Sequence, residues 1–410
     1  MKVVFASHGS LGDLVPFLEI GKVLREGGHR VVVATHDAHR GAVEGAGLIH
    51  APMRPDRPSD ATFHARFMHR TRGPAFAYRE YLVPAIAQSD ADLMAACADA
   101  NVLVSVTLAL AAPLVAARTG IPWLSSAFQP AMLFSAEDPP RLPMLPFIKG
   151  RPSYNAWLLK SARKGIESWV APLRAYRRAE GLGEYPDHPV FSGQHSPDGV
   201  LALYSPLLGG LPADAPPGTV QTGQVLQTGA APLAPDIEAF LGNGPPPIVF
   251  TLGSASAHAA RRFFVHSAAH ARRLGKRALL LVGRPENSAG LPLGPDLMAA
   301  AVAPYQSVFP RASLVVHQGG IGTIALAIAA GTPMVLVPFS HDQPDNSARA
   351  VRAGVARVVP RWAYGGRGGA AIAAVLADRM MARTIRTAAP QIVAESGATV
   401  AAARILAAAQ

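Results

Sequence analysis

The sequence contains one cysteine, Cys97, in 410 residues, and few of its side chains are charged (16%) or aromatic (7%). A lone thiol excludes an internal disulfide and a cysteine-built zinc site. Long hydrophobic runs are missing too: Leu108 to Ala117 is interrupted by Pro113 and Ala278 to Val282 is short, far from the ~18 to 20 residues of a membrane-spanning helix. No leader-like segment precedes the strand-like Lys2-Val3-Val4-Phe5-Ala6, so a cytoplasmic location is expected, with the inner face of the membrane as the other setting to consider. Acidic residues are outnumbered 27 to 38 by Lys and Arg, giving a net charge of +11. Such an excess suits nucleic acid or an anionic surface. Nearly all of it is arginine in an Ala-, Gly- and Pro-rich chain, a bias that coding composition produces by itself, and no nucleic-acid partner is expected.

What is present is a hydrophobic, globular chain long enough for two domains of roughly 200 residues. Val3 to Ala6, the glycine loop His8 to Gly12, an amphipathic stretch Pro16 to Glu26 and the strand Arg30 to Ala34 read as a βαβ opening. The alternation continues with Val102 to Val106, a helix-like Leu108 to Thr119 and Ile121 to Ser125. Between Ser205 and Pro235 the composition turns to Pro, Gly and Ala, placing a boundary near 215, with domains 1–215 and 216–410 and the last helix available to pack back on the first. The pattern then restarts: Ile248 to Leu252, a helix Ala259 to Leu274, Ala278 to Val282, Leu314 to His317 and Met334 to Pro338. The fold class is therefore α/β, with two doubly wound parallel-sheet domains whose ligand site is expected in a cleft at the carboxyl ends of the strands.

The strongest motif is His317-Gln318-Gly319-Gly320-Ile321-Gly322-Thr323, between an apolar strand and the helix-like Ile324 to Ala330. Glycines admit a ligand to the backbone, and a helix start directs N–H groups and positive dipole at phosphate. Pro338-Phe339-Ser340-His341-Asp342-Gln343-Pro344-Asp345-Asn346 follows the next strand, where Asp342 and Gln343 offer acceptors and donors suited to sugar hydroxyls, although Asp342 or Asp345 also fits a helix cap. The loop Gly9-Ser10-Leu11-Gly12-Asp13 is not a dinucleotide fingerprint, since Leu11 stands where the second glycine belongs. Asp13 reads better as a base, with His8 as its competitor. Asp90-Ala91-Asp92 reads as a solvated helix face within Ala85 to Ala98 rather than a metal pair, no histidine spacing suggests zinc, and no metal is expected.

These two motifs at this spacing resemble the signature of bacterial family-1 glycosyltransferases, over Met1 to about Gly354. Gly9 to Phe17 and His195-Ser196-Pro197-Asp198-Gly199-Val200-Leu201 add to the likeness, which leans toward rhamnolipid-synthesis rhamnosyltransferases and bacterial sterol or polyketide glucosyltransferases. The resemblance implies a GT-B fold, acceptor binding by the first domain and a donor nucleotide sugar in the second. It implies inverting transfer of a hexose or deoxyhexose from a dTDP or UDP carrier to a hydroxyl of an apolar small molecule or lipid. The nucleotide sugar is then a co-substrate and no cofactor is implied. Asp13 would be catalytic; Gly12, Ser254, Val302, Tyr305, His317, Gly319, Gly320, Gly322, Thr323, Asp342 and Gln343 would serve the donor. Val302 replaces the tryptophan that stacks on the base in plant members, and Ala325 replaces their ribose-binding glutamate. The basic, apolar stretch Trp157 to Arg178 fits an ordinary surface helix, an acceptor entrance or peripheral membrane contact. A GT-B epimerase and a non-catalytic nucleotide-sugar-binding activator are the rival readings.

Overall fold

The computed structural model describes residues 1–58, 60–142, 145–229, 231–253 and 260–410, the side chain of Arg261 excepted. The chain forms two compact units, Met1–Val225 with Ser396–Gln410, and Leu226–Glu395. The break expected near 215 thus falls inside the first unit.

In unit 1 the strands are β1 (Lys2–Ala6), β2 (Arg30–Thr35), β3 (Ile49–Pro52), β4 (Val102–Val106), β5 (Trp123–Ala127), β6 (Val200–Ala202) and β7 (Thr219–Gln221). They pair in parallel in the order β3-β2-β1-β4-β5-β6-β7, with Phe5 opposite both Val33 and Val104. Val102–Val106 is buried on both faces, as the helices covering a parallel sheet require. The helix Gly397–Ala408 completes this unit: it packs against the helix Leu11–Glu26 and puts Ala401, Ala402 and Ile405 into the core. A side chain on Gly397 would come within 2.5 Å of the Gln224 carbonyl, so the returning chain lies against the departing one.

Unit 2 repeats the plan with β8 (Ile248–Thr251), β9 (Ala278–Leu281), β10 (Leu297–Ala300), β11 (Leu314–His317), β12 (Met334–Leu336) and β13 (Ala356–Val358). Their parallel order is β10-β9-β8-β11-β12-β13. Winding direction reverses between β1 and β4 in unit 1 and between β8 and β11 in unit 2, the places where such sheets open a crevice at their carboxyl ends. The Gly9–Asp13 loop leaves β1 and the His317–Thr323 motif leaves β11 at these points, whereas Pro338–Asn346 follows the next strand, β12.

Candidate active site

Unit 1 brings Asp13 to the carboxyl end of β1. The chain turns through Ser7-His8-Gly9-Ser10 and enters the helix Leu11–Glu26 with Ser10 as its N-cap. The Ser10 N–H donates to Asp13 Oδ2 at 2.6 Å and the Ser10 hydroxyl at 2.9 Å, so the carboxylate ties off the helix start as one half of a capping box. A Cβ on Gly9 would lie 2.3 Å from that carboxyl, whereas one on Gly12 meets nothing closer than Ser10 Oγ at 3.5 Å. Gly9 is therefore the glycine this turn demands. Burial raises the Asp13 pKa above the usual aspartate value, against the lowering effect of the Ser10 hydrogen bonds and nearby Arg57. Above that pKa the carboxylate is an acceptor of improved basicity.

His8 lies beside it, buried, with burial first and His36 second depressing its pKa to about 3, and Asp92 opposing them. Its Nδ1 has no hydrogen-bond partner. His36 Nε2 is 3.4 Å from the Gly9 carbonyl and its ring lies tilted against His39 with centroids 3.9 Å apart, so a patch of neutral imidazoles backs the turn. The Asp90/Asp92 pair departs from the expected solvated face. Asp92 receives three bonds from Arg54 (2.6, 2.8 and 2.9 Å), and Asp90 is buried under Arg118 and the Tyr176 hydroxyl at 2.9 Å. Asp90 joins its helix to two others and Asp92 ties that helix to the loop after β3, roles their spacing alone does not reveal.

In unit 2 the loop after β11 holds its shape by internal bonds. His317 is 0% exposed: its Nδ1 accepts the Gly319 N–H at 3.2 Å, its Nε2 faces Met334 Sδ at 3.4 Å, and burial lowers its pKa to about 3. The ring is a neutral brace for the turn and presents no accessible atom. Gly319 has φ +90° and no room for a Cβ, which would fall 2.4 Å from Ser347 Oγ. Gly320 is the N-cap of the helix Ile321–Ala329, and no side chain caps that start. Gly322 is exposed with open space about it, Thr323 is half-buried, and Ala325 is fully buried within the helix, where a ribose contact is out of reach.

The remaining donor candidates fall into two groups. Tyr305 Oη is 2.7 Å from Thr251 Oγ1 and its ring stacks on Phe309 at 4.7 Å, fixing it beside the end of β8, while Val302 is 75% exposed. Ser254 lies outside the described residues. Gln343 is buried, and its Oε1 accepts from the Phe339 and Ser340 N–H groups at 2.8 and 3.1 Å. Asn346 donates to Asp342 Oδ2 (2.5 Å) and to the Gly319 carbonyl (3.3 Å), joining the two motifs, and Arg349 buries an ion pair with Asp345 at 2.6 Å. Sequence reasoning missed Asn346 as a linker between the motifs, and it missed Gln318, whose Nε2 fills the space a side chain on Gly253 or Gly320 would need. Their amide and neighbouring glycines were the only signal. Among the described residues, no helix is long and apolar enough to cross a membrane.

The C-terminal half matches the model of the glycosyltransferase family 28 C-terminal domain over residues 248–367. Over nearly the whole chain it is similar to the O-mycaminosyltylonolide 6-deoxyallosyltransferase of Streptomyces fradiae, at 33% identity covering 88% of this chain and 86% of the relative. The chain belongs to the bacterial family-1-like glycosyltransferases. This glycosyltransferase is also 30% identical to the vancomycin aglycone glucosyltransferase of Amycolatopsis orientalis, covering 87% and 85% of the two chains. Its fold is that of the glycosyltransferase VinC, solved in complex with DTDP, with a TM-score of 0.71 at 20% identity over 100% and 99% of the chains. The glycosyltransferase is thus a hexosyltransferase of GT-B fold, and the strand-end loops of its two units are where its chemistry is to be sought.

Proposed function

We propose that the enzyme transfers a hexose or deoxyhexose from a nucleoside diphosphate sugar to a hydroxyl of an apolar small molecule, with inversion and without a metal ion. The observation that carries this reading is the uncapped start of the helix Ile321–Ala329. Among the described residues its first N–H groups have no side-chain acceptor, and they follow the braced glycine turn at the β8/β11 reversal. A diphosphate supplies the missing acceptors and meets the positive end of the dipole. Charge that develops on the leaving oxygen as the anomeric bond breaks strengthens those bonds, so the cation a metal would contribute is replaced by backbone. Asp13 takes the proton of the acceptor hydroxyl while its oxygen bonds to the anomeric carbon. Gly12 flanks that turn, and Asp342, Gln343 and Thr323 hold the sugar and phosphate from the second unit. Val302 and Tyr305 border the base.

Two relatives are named for natural-product acceptors, O-mycaminosyltylonolide and the vancomycin aglycone, and we place this acceptor in the same class, in preference to a glycolipid. For the carrier we favour dTDP: VinC was solved with it, and Ala325 offers nothing to a ribose 2′-hydroxyl. The test is mass spectrometry of reactions with pooled donors and pooled polyketide, glycopeptide and lipid acceptors, run with and without EDTA, followed by NMR of the anomeric configuration. A glycosylated product of inverted configuration that forms in EDTA is expected. No transfer, retention, or loss of activity in chelator each overturns the corresponding part. A tenfold preference for UDP over dTDP with the same sugar, about 1.4 kcal/mol, overturns the carrier assignment.

A further inference from the structure

A cavity of about 1140 Å³ lies wholly within unit 1 and shares no residue with the Ser7–Asp13 turn. Gly120, Ile121 and Trp123 lead into β5, Pro197 and Asp198 into β6, and Pro216 and Pro217 into β7, and all of them line it. Because these strands run parallel, this side of the cavity sits at their amino ends, whereas Asp13 sits at the carboxyl end of β1. Leu133, Phe134, Leu159 and Phe191 supply apolar wall. The volume is of the size that holds a small organic ligand.

The polar groups are divided. Asp198 accepts the Trp123 N–H at 3.0 Å, and Asp214 accepts the Ala136 N–H at 2.7 Å and the Ser135 hydroxyl. Asp187 accepts the His188 N–H at 2.6 Å and faces Arg163 at 3.6 Å. Each carboxylate is therefore answered by the wall itself. The basic side is answered only in part: among the described residues Arg177 Nε and Arg163 Nε are buried without hydrogen-bond partners, as is His195 Nδ1, the Tyr185 hydroxyl has only Arg177 beside it, and Lys160 is exposed on the wall. Arg177 stacks over the Tyr185 ring at 4.7 Å and its Nη1 reaches the Pro113 carbonyl at 3.4 Å. Pro113 and Gly120 bracket one helix, Ala112–Thr119, so the Arg177 end and the Trp123 end lie ~10 Å apart. Buried guanidinium donors left without acceptors, on a wall whose carboxylates are already answered, call for an acceptor from outside.

We infer that this cavity is a second small-molecule site that takes an apolar carboxylate. The acid group bonds Arg177 and Tyr185 with Lys160 nearby, and the apolar body lies against Phe134, Leu159 and Phe191. The site stands independently of the donor and acceptor assignments above. Decanoate titrated by calorimetry is the probe, with decan-1-ol as the uncharged control. One-site binding is expected, at least tenfold tighter for the carboxylate. Tyr185→Phe, which keeps the ring, and Lys160→Ala should each weaken decanoate about 3- to 10-fold. Ala156→Trp, at an exposed lining position that tolerates bulk, should abolish binding with the circular dichroism unchanged. Asp13→Asn should leave it unchanged. Equal affinity for the alcohol, no binding at 1 mM, indifference to Ala156→Trp, or tighter binding in Asp13→Asn would each overturn the inference, the last by moving the ligand to the strand-end turn.

Discussion

Each unit places a glycine turn and a helix start at the carboxyl end of a central strand, yet the two joints are finished in opposite ways. In unit 1 the helix Leu11–Glu26 carries its own anion: Asp13 folds back onto Ser10 and occupies the electropositive end. In unit 2 the helix Ile321–Ala329 begins at a glycine, and among the described residues no side chain caps its N–H groups. On the function proposed above, one architecture yields a site that offers a base and a site that receives a phosphate. The difference lies in the residues of one helical turn.

The largest effect should come from removing the built-in anion. Asp13→Asn keeps the shape and can still accept from Ser10, so stability should hold while turnover falls about 10²- to 10⁴-fold with donor binding retained. Near-normal turnover would reduce Asp13 to a cap. The pH profile separates it from His8: a base works only when deprotonated, so activity lost on acidification at a pH above the ordinary aspartate range points to Asp13, whose pKa is raised, and loss only near pH 3 points to His8. Turnover of His8→Asn, measured alongside, provides the mutational counterpart.

Next in size is the brace of the open joint. His317→Ala should cost about 2 to 4 kcal/mol in urea unfolding, because it empties a fully buried site and strips the Gly319 N–H of its acceptor. Donor affinity should fall with it; an unaltered unfolding midpoint would show that the ring does not brace the turn. His317, like His8 and His39, has its pKa depressed from the ordinary 6.5 to about 3. The stability these neutral rings contribute is fully present above pH 6.5 and is lost as pH falls toward 3, and urea midpoints across that window should show it.

The smallest effect comes from making unit 2 resemble unit 1. Gly320 has φ −66°, which any residue adopts, and the nearest atom to a new Cβ is the flexible Gln318 amide at 3.2 Å. Gly320→Asp should cap the helix, raise stability by a few tenths of a kcal/mol, and weaken donor binding about tenfold, read by calorimetry. Unchanged donor affinity would mean that the diphosphate does not use this helix start.

Much of the scaffold was legible because buried parallel strands are short apolar runs: Val102–Val106 and Leu314–His317 agree to the residue. Edge strands were not. Thr219–Gln221 follows Pro216-Pro217-Gly218 inside a stretch whose composition reads as linker, and pairing on one side only leaves it half-buried with no apolar signature. The first helix was expected as the amphipathic stretch from Pro16; the Ser10/Asp13 box starts it at Leu11 and Pro16 is carried inside. At the site, spacing located the loops but not the direction of side chains. Nothing in His317-Gln318-Gly319 says whether the imidazole faces a ligand or the core, because that depends on Met334, seventeen residues away.

The helix Gly397–Ala408 bears on how the protein is made. Unit 2 is an uninterrupted segment of about 170 residues inserted into unit 1, which regains its last core side chains only when Ala401, Ala402 and Ile405 arrive. At the speed of a ribosome those residues emerge some 10 to 30 seconds after Val225, so unit 1 must wait with part of its core uncovered while its insert is free to finish first. The unit whose strands are synthesised before the insert is the one whose core closes after it.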